Sequence, residues 1–166
     1  MIRPERPGDP AGVRAVNAAA FPTSAEANLV DALRARARPL VSLVAQEGGV
    51  IVGHILFSPV TLPGRPALAL MGLASMAVAR ARQRAGIGSA LVLAGLEACR
   101  RLPADAVVVL GHPEYYPRFG FAPGVRTGLG CEYDVPAAAF MVLELRPGAL
   151  RGATGTIKYH AAFASL

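Results

Sequence analysis

The feature that most constrains the fold is a glycine-rich turn that joins an apolar run to a helical pattern. The apolar run covers residues 68–78, the turn covers 80–88, and helical periodicity follows over 89–102. The first N–H groups of a helix have no intrahelical partner, and the helix dipole makes that end partially positive. Gly86 and Gly88 lack a Cβ, so a phosphate can approach their backbone closely. The pattern therefore predicts a strand, an anion-binding turn and a helix.

Three arginines, Arg80, Arg82 and Arg84, add full positive charges to this turn, which favours a pyrophosphate as its ligand. A Walker loop is excluded because no lysine follows Gly88. A dinucleotide-binding fingerprint is excluded because Leu91 stands where its third glycine belongs. An ordinary glycine turn before a core helix remains the alternative at this point.

Composition bounds the class of protein. The chain has 166 residues, of which 53% are hydrophobic and 17% charged, so we expect one globular domain over 1–166. The longest apolar run, 67–79, is too short to span a bilayer. The first ten residues have no apolar segment typical of an export signal, and we expect a cytoplasmic protein. Cys99 and Cys131 are too few and too isolated for a metal site, so no metal is expected.

The net charge of +6 raises the possibility of nucleic-acid binding. The arginines are spread along the chain, however, and aromatic residues make up only 6%, which leaves few side chains for base stacking. The densest arginine group lies at the predicted anion-binding turn. A basic surface suits an anionic cofactor equally well, and we disfavour nucleic acid as the partner.

Periodicity and turn residues predict the remaining elements. Two helices should follow a short edge strand, the first capped by Asp9 and the second ending at Pro39. A Gly-Gly turn after Glu47 predicts a hairpin. Because a helix joins two apolar runs, the long strand and the next one should be parallel. The predicted strands are 2–3, 41–46, 50–57, 67–78, 106–110 and 140–145, a short helical turn covers 114–121, and the tail from 146 has weak patterning.

His54 falls inside the second strand of the predicted hairpin. A single histidine within a strand is either a hydrogen-bonded structural residue or a catalytic base. The sequence alone favours the structural role, and both interpretations stay open here.

The turn carries the pattern Q/R-x-x-G-x-G/A over residues 83–88, which resembles the acyl-CoA pyrophosphate loop of the GNAT N-acetyltransferase superfamily. Three further segments are similar to the YhbS-type group of predicted N-acetyltransferases: GHILFSPV at 53–60, GHPEYYPRFGF at 111–121 and FMVLEL at 140–145. The second includes Tyr-x-x-x-Gly-Phe from Tyr116 to Phe121. This resemblance spans nearly the whole chain. It implies an α/β GNAT fold, a mixed central sheet flanked by helices on both faces.

The resemblance also implies roles for individual residues. Acetyl-CoA would be the cosubstrate, its pantetheine arm pairing with the main chain of Met76, Ala77 and Val78. Its pyrophosphate would be wrapped by Gln83, Arg84, Ala85, Gly86, Ile87, Gly88 and Ser89. Tyr116 matches the general acid that protonates the departing CoA thiolate. The chain departs from its relatives at Arg80, where they carry proline, and at Arg84-Ala85, where they carry Gly-Lys.

No carboxylate lies on the predicted central strand, so a general base must come from elsewhere. His112 follows the strand at 106–110 and is the first candidate, Glu26 on the second helix is its rival, and Glu114 is a weaker one. The resemblance implies direct attack of an amine on the thioester. The acceptor, a small-molecule or peptide amine, is not readable, and a homodimer is left open. Two alternatives remain: a non-catalytic acyl-CoA-binding regulator and a basic nucleic-acid-binding protein.

Overall fold

The computed structural model describes residues 1–165. Along that part of the chain the main elements are nine strands and three helices, with several short 3-10 turns between them. Their bounds are β1 Ile2–Pro4, α1 Pro10–Ala20, α2 Ala25–Arg36, β2 Val41–Glu47, β3 Val50–Val60, β4 Leu70–Val78, α3 Ile87–Arg101, β5 Ala106–Leu110, β6 Ala122–Pro123, β7 Leu129–Cys131, β8 Phe140–Glu144 and β9 Gly155–Ile157.

Seven of these strands form one mixed sheet in the order β1-β2-β3-β4-β5-β8-β6. Within it β4 and β5 are parallel, as predicted from the helix that connects them, and the other neighbours are antiparallel. Strand β1 lies at the sheet edge, which agrees with the prolines around it. Strands β7 and β9 pair separately in a small parallel sheet.

Helices cover both faces of the central sheet, as the resemblance implied. On one face Phe57 of β3 packs with Leu91 of α3, and on the other Leu56 packs with Val13 of α1 and with α2. Consecutive strand residues point to opposite faces, so a run that is apolar throughout must be covered twice. Gly95 lets α3 approach the sheet, because a Cβ there would overlap the Phe57 ring.

The β2–β3 hairpin turns at Gly48 and Gly49, whose φ angles of 56° and 80° suit glycine. This confirms the predicted hairpin, but β3 continues to Val60, beyond the predicted end at residue 57. Pro59 is tolerated because β2 pairs only as far as Phe57, so β3 is an edge strand at that point.

Other boundaries also differ from the prediction. β4 begins at Leu70 rather than at 67, and α3 begins at Ile87 rather than at 89. Asp9 occupies the N-cap position of α1, but its carboxylate does not cap the helix. It binds the Arg3 guanidinium at 2.7 and 3.1 Å and accepts the Arg6 N–H at 2.6 Å, which lowers the Asp9 pKa to about 2.

The tail contributes more structure than its weak patterning indicated. Strand β9 and the 3-10 turn Ala161–Ser165 follow residue 146, and Phe163 packs into the core beside α1 and α2. None of the helices within residues 1–165 is long and apolar enough to cross a membrane.

Strands β4 and β5 separate halfway along β4, and this separation positions the site. They pair only over Leu70–Leu73, whereas β4 continues to Val78 along β3. Ala74 and Ser75 together face Leu56, which places a β-bulge where the separation begins. The last residues of β4 therefore have one main-chain edge that β5 does not cover.

Candidate active site

The turn after β4 presents a row of unpaired backbone donors. Within the described chain, no N–H from Arg84 to Ser89 makes a hydrogen bond, whereas Ala90 N–H donates to the Gly86 carbonyl and starts the helical ladder. Gly86 is the N-cap of α3, with φ 84°. The donors thus line the positive end of a helix of four turns, which is the arrangement that binds phosphate groups.

Arg84 is the one non-glycine residue within the described chain that has a positive φ, at 63°. A side chain in this conformation is strained by contact between Cβ and the backbone. The residue stands where the resembled family carries glycine, so the turn keeps a glycine-like backbone while gaining a cation.

A cavity of about 420 Å³ opens over these donors, and we call it the donor cavity. Its walls include Tyr115 and Arg118 from the short turn Tyr116–Phe119 and the residue before it. The Tyr115 hydroxyl lies 2.9 Å from Ser89 Oγ, and the Arg118 guanidinium lies 4.5 Å from the centre of the Tyr115 ring. The remaining lining residues are Val78, Gln83, Arg84, Gly86, Gly88 and Ser89.

Of the three arginines predicted to add positive charge to the turn, only Arg84 lines the donor cavity. Arg82 turns away and binds Glu47 of the hairpin through two bonds of 2.6 and 2.7 Å, which neutralises its charge. Neither Arg80 nor Arg82 lines the donor cavity, whereas Arg84 and Arg118 do. The positive charge at the site therefore comes from one predicted arginine and one that the sequence reasoning missed.

Of the other residues predicted to bind the cofactor, some line a cavity and some do not. Met76 and Val78 line two neighbouring cavities along β4, while the side chain of Ala77 is buried in the sheet. Ile87 packs towards Gly53 of β3, and Ala85 is exposed in the turn, so these two offer backbone groups only.

Gln83 ties the turn to the end of β4. Its side-chain amide donates to the Val78 carbonyl at 3.1 Å. The bond links the start of the turn to the strand that precedes it and so helps to fix the position of the donor row.

A second cavity, of about 330 Å³, lies where β4 and β5 separate, and we call it the acceptor cavity. Three of the four catalytic candidates, Tyr116, His112 and Glu26, line it, whereas Glu114 does not. Glu26 is more than 80 residues before the other two in the sequence. Met76 lines it as well, so β4 connects the two cavities.

Tyr116 is held firmly against the end of β5. Its side chain is 6% exposed, and its ring packs edge-on to Tyr115 and Phe121 and lies against Gly111, where a Cβ would overlap it. Burial, with a smaller contribution from Tyr115, raises the Tyr116 pKa to about 12. The phenol is therefore protonated at neutral pH.

The two candidate bases differ in their surroundings. The His112 side chain is 83% exposed and lies 3.9 Å from Glu114, which is also exposed. Glu26 is partly buried, and its Oε2 atom is fully buried without a hydrogen-bond partner in the described structure. An unpaired buried carboxylate oxygen is costly unless a ligand supplies a donor.

A series of buried hydrogen bonds ends at Ser75, which lines the acceptor cavity. Ser75 Oγ donates to Asn17 Oδ1 at 2.7 Å, and the Asn17 amide lies 3.1 Å from His54 Nδ1. His54 Nε2 lies 2.9 Å from Ser42 Oγ, which donates to Glu5 at 2.7 Å. Each hydrogen bond in this series has one donor and one acceptor when His54 is neutral. Burial lowers the His54 pKa to about 4.

These contacts agree with the structural interpretation of His54. They also fix the hydroxyl hydrogen of Ser75 on Asn17, so that the remaining lone pairs of Ser75 Oγ are available as acceptors in the cavity it lines.

Comparison with known proteins matches residues 12–121 to the model of the acetyltransferase (GNAT) family. The chain belongs to the GNAT family. It is 37% identical over 164 residues to the uncharacterized N-acetyltransferase YhbS of Escherichia coli K12, covering 98% of each protein.

Two solved structures of GNAT proteins are also similar to it. The crystal structure of E. coli YhbS in complex with CoA superposes with a TM-score of 0.93 at 36% identity, covering 99% of this chain and 91% of that one. A GNAT family acetyltransferase from Brucella melitensis, in complex with acetyl-CoA, gives 0.81 at 39% identity, covering 98% and 97%.

Four residues in or beside the two cavities were not predicted from the sequence: Tyr115, Arg118, Ser75 and Asn17. Tyr115 and Arg118 stand three apart in a short helical turn, so they share a face that differs from that of Tyr116. This spacing was the available signal. Ser75 and Asn17 gave none, because their contact joins a strand to a helix 58 residues away.

Proposed function

We propose that this GNAT protein is an acetyl-CoA-dependent N-acetyltransferase that moves the acetyl group to an amine by direct attack. The observation that carries the proposal is the row of free N–H groups from Arg84 to Ser89 at the start of α3. The uncovered edge of β4 leads from that row to a cavity that holds an acid and a carboxylate. The CoA and acetyl-CoA complexes of the two similar proteins support the same cosubstrate.

In the donor cavity, the backbone N–H groups would bind the pyrophosphate of acetyl-CoA, with Arg84 and Arg118 supplying positive charge. The main chain of Met76–Val78 would pair with the amides of the pantetheine arm as an added strand does. The thioester would then lie where β4 and β5 separate, beside Tyr116.

On the acceptor side, the neutral amine nitrogen attacks the thioester carbonyl carbon and a tetrahedral intermediate forms. The C–S bond then breaks, and its electron pair leaves on sulfur. Tyr116 donates its phenolic hydrogen to that sulfur, and the proton lost by the amine passes to a base. The sum is one amide and one free CoA thiol from one amine and one acetyl-CoA.

Arg84 allows charge and backbone strain to be tested separately. Arg84→Gly relieves the positive φ, and we expect the free energy of unfolding to rise by about 1 kcal/mol. Arg84→Ala keeps the strain and should give no such gain. Both variants remove the cation, so both should weaken acetyl-CoA binding about two- to fivefold. Chemical denaturation and calorimetry measure the two effects, and unequal losses of affinity would contradict a role through charge.

The base is proposed to be Glu26. Glu26 lines the cavity that Tyr116 also lines and has a buried Oε2 without a partner, whereas His112 is largely in solvent. An amine N–H would satisfy that oxygen before the proton is transferred. His112, the first candidate from sequence, remains the competitor because it lines the same cavity.

The pH profile of kcat/KM separates the two candidates. We expect Glu26→Gln to lose the acidic limb and to fall about 10²- to 10⁴-fold at neutral pH, the usual contribution of a general base. His112→Ala should keep the acidic limb and most of the rate. The opposite pattern would assign the base to His112, and an intact limb in both variants would exclude both residues.

Initial velocities test direct attack itself. When acetyl-CoA and amine concentrations are varied together, a ternary complex gives double-reciprocal lines that intersect. A covalent acetyl-enzyme would give parallel lines instead.

A further inference from the structure

The acceptor cavity continues into a second space, which is apolar and which we call the aromatic chamber. The two share the lining residues Leu73, Ala74, Leu110 and Phe163, so they adjoin directly. The chamber has a volume of about 400 Å³. A ligand that reaches past Tyr116 therefore enters a space of about the size of a small aromatic molecule.

The walls of the aromatic chamber are uncharged. Tyr133, Tyr159 and Phe163 form a cluster with ring centres 5.5 and 5.2 Å apart, and Val135 adds an aliphatic surface. No charged side chain is among its lining residues in the described chain. A second ammonium placed here would lose part of its hydration and would gain only the faces of the aromatic rings, with no carboxylate to pair with.

One polar atom in the chamber wall has no partner. The Tyr159 hydroxyl is buried and makes no hydrogen bond within residues 1–165. Burial raises the Tyr159 pKa, so the phenol stays neutral. Such groups are normally satisfied, and a small movement of this side chain would let a polar substituent at the far end of a bound ligand satisfy it.

The near end of the combined space is polar. Glu26 and Ser75 line it, Glu26 Oε2 has no partner, and Ser75 Oγ offers lone pairs because its hydrogen is held by Asn17. Both groups accept hydrogen bonds, and an amine supplies N–H donors. The acceptor cavity and the chamber thus differ in polarity along one axis, from a carboxylate to an aromatic wall.

Building on the proposed function, we infer that the acceptor is a primary arylalkylamine with a single amine and an uncharged ring. The amine lies between Glu26 and Ser75, the ring lies among Tyr133, Tyr159 and Phe163, and a ring hydroxyl or N–H meets the Tyr159 hydroxyl. Polyamines and other multiply charged amines should bind less well than an uncharged ring, because a second ammonium in the chamber would meet aromatic faces but no carboxylate.

Tyramine is the probe that carries all of these features. Its kcat/KM should exceed that of propylamine by about 10- to 100-fold, from burial of the ring, and should also exceed that of spermidine. Calorimetry of tyramine with the CoA complex of the protein should show the same preference without any turnover. Equal values for tyramine and propylamine, or a preference for spermidine, would overturn the inference.

Val135→Asp places a charge in the chamber wall on a partly exposed loop. We expect it to lower tyramine binding and kcat/KM about tenfold and to leave propylamine unchanged. Val50→Asp is the matched control, since Val50 is 61% exposed on the hairpin far along the sequence from the chamber. Loss of the tyramine preference in the control as well would contradict the assignment.

The two proposals fail in different ways. Tyramine binding to the CoA complex without acetyl transfer to any amine would contradict the proposed function and support the inference. Efficient acetylation of spermidine or propylamine without tyramine preference would support the function and overturn the inference.

Discussion

Tyr116→Phe should lower kcat by about 10²- to 10⁴-fold, the usual contribution of a general acid, while acetyl-CoA affinity stays within about twofold. The substitution keeps the ring that packs on Gly111 and removes only the hydroxyl. Because the Tyr116 pKa is raised to about 12, the donor should remain protonated through the working pH range. The wild-type profile of kcat should therefore show no basic limb from this group below about pH 10.

Tyr115→Phe provides the comparison. Tyr115 bonds to Ser89 in the donor cavity, so its hydroxyl should affect acetyl-CoA binding rather than the departure of the thiolate. Steady-state kinetics and calorimetry of both variants separate the two roles. A Tyr116→Phe enzyme with kcat within about twofold of wild type would reduce Tyr116 to a packing residue.

Gly88→Val should weaken acetyl-CoA binding by about 100-fold or more, because several charge-assisted hydrogen bonds are lost together. A Cβ at Gly88 would meet only ordinary contacts, with Tyr115 at 3.6 Å and Met76 at 3.7 Å. The fold should therefore survive, whereas the branched methyl groups would occupy the space over the N–H row.

Two variants serve as controls for this effect. Gly88→Ala adds the Cβ alone and should retain most of the affinity. Gly8→Val makes the same change at an exposed site with open space around it and should bind normally. Calorimetry with circular dichroism makes the comparison, and a folded Gly88→Val protein that binds acetyl-CoA normally would remove the pyrophosphate from this turn.

Local signals predicted the parts of the fold that local physics determines. Gly48-Gly49 and Gly86 adopt positive φ as their turns require, and the parallel pairing of β4 with β5 follows from the helix between them. Strands β6, β7 and β9 have two or three residues each and form because of their tertiary neighbours. A segment this short has no periodicity to read.

The candidate site likewise has features that the local sequence determines and features that depend on tertiary contacts. The turn that is proposed to bind the pyrophosphate is contiguous in sequence, and its backbone N–H groups lie unpaired at the start of α3. Arg82 was assigned to it wrongly because its partner, Glu47, lies 35 residues earlier in the hairpin. The cavity shared by Glu26, His112 and Tyr116 depends on where β4 and β5 separate, which is a property of the sheet that no single segment encodes.

The most direct test of the account is the balance of products from acetyl-CoA and a panel of primary amines. Free CoA thiol and N-acetylated amine are quantified in the same reaction, with thermal denaturation reporting whether acetyl-CoA binds. We predict equal amounts of the two products, and neither product above background when the amine is omitted. Acetyl-CoA that raises the melting temperature without forming an amide with any amine would contradict the account and make the protein a non-catalytic acyl-CoA-binding regulator.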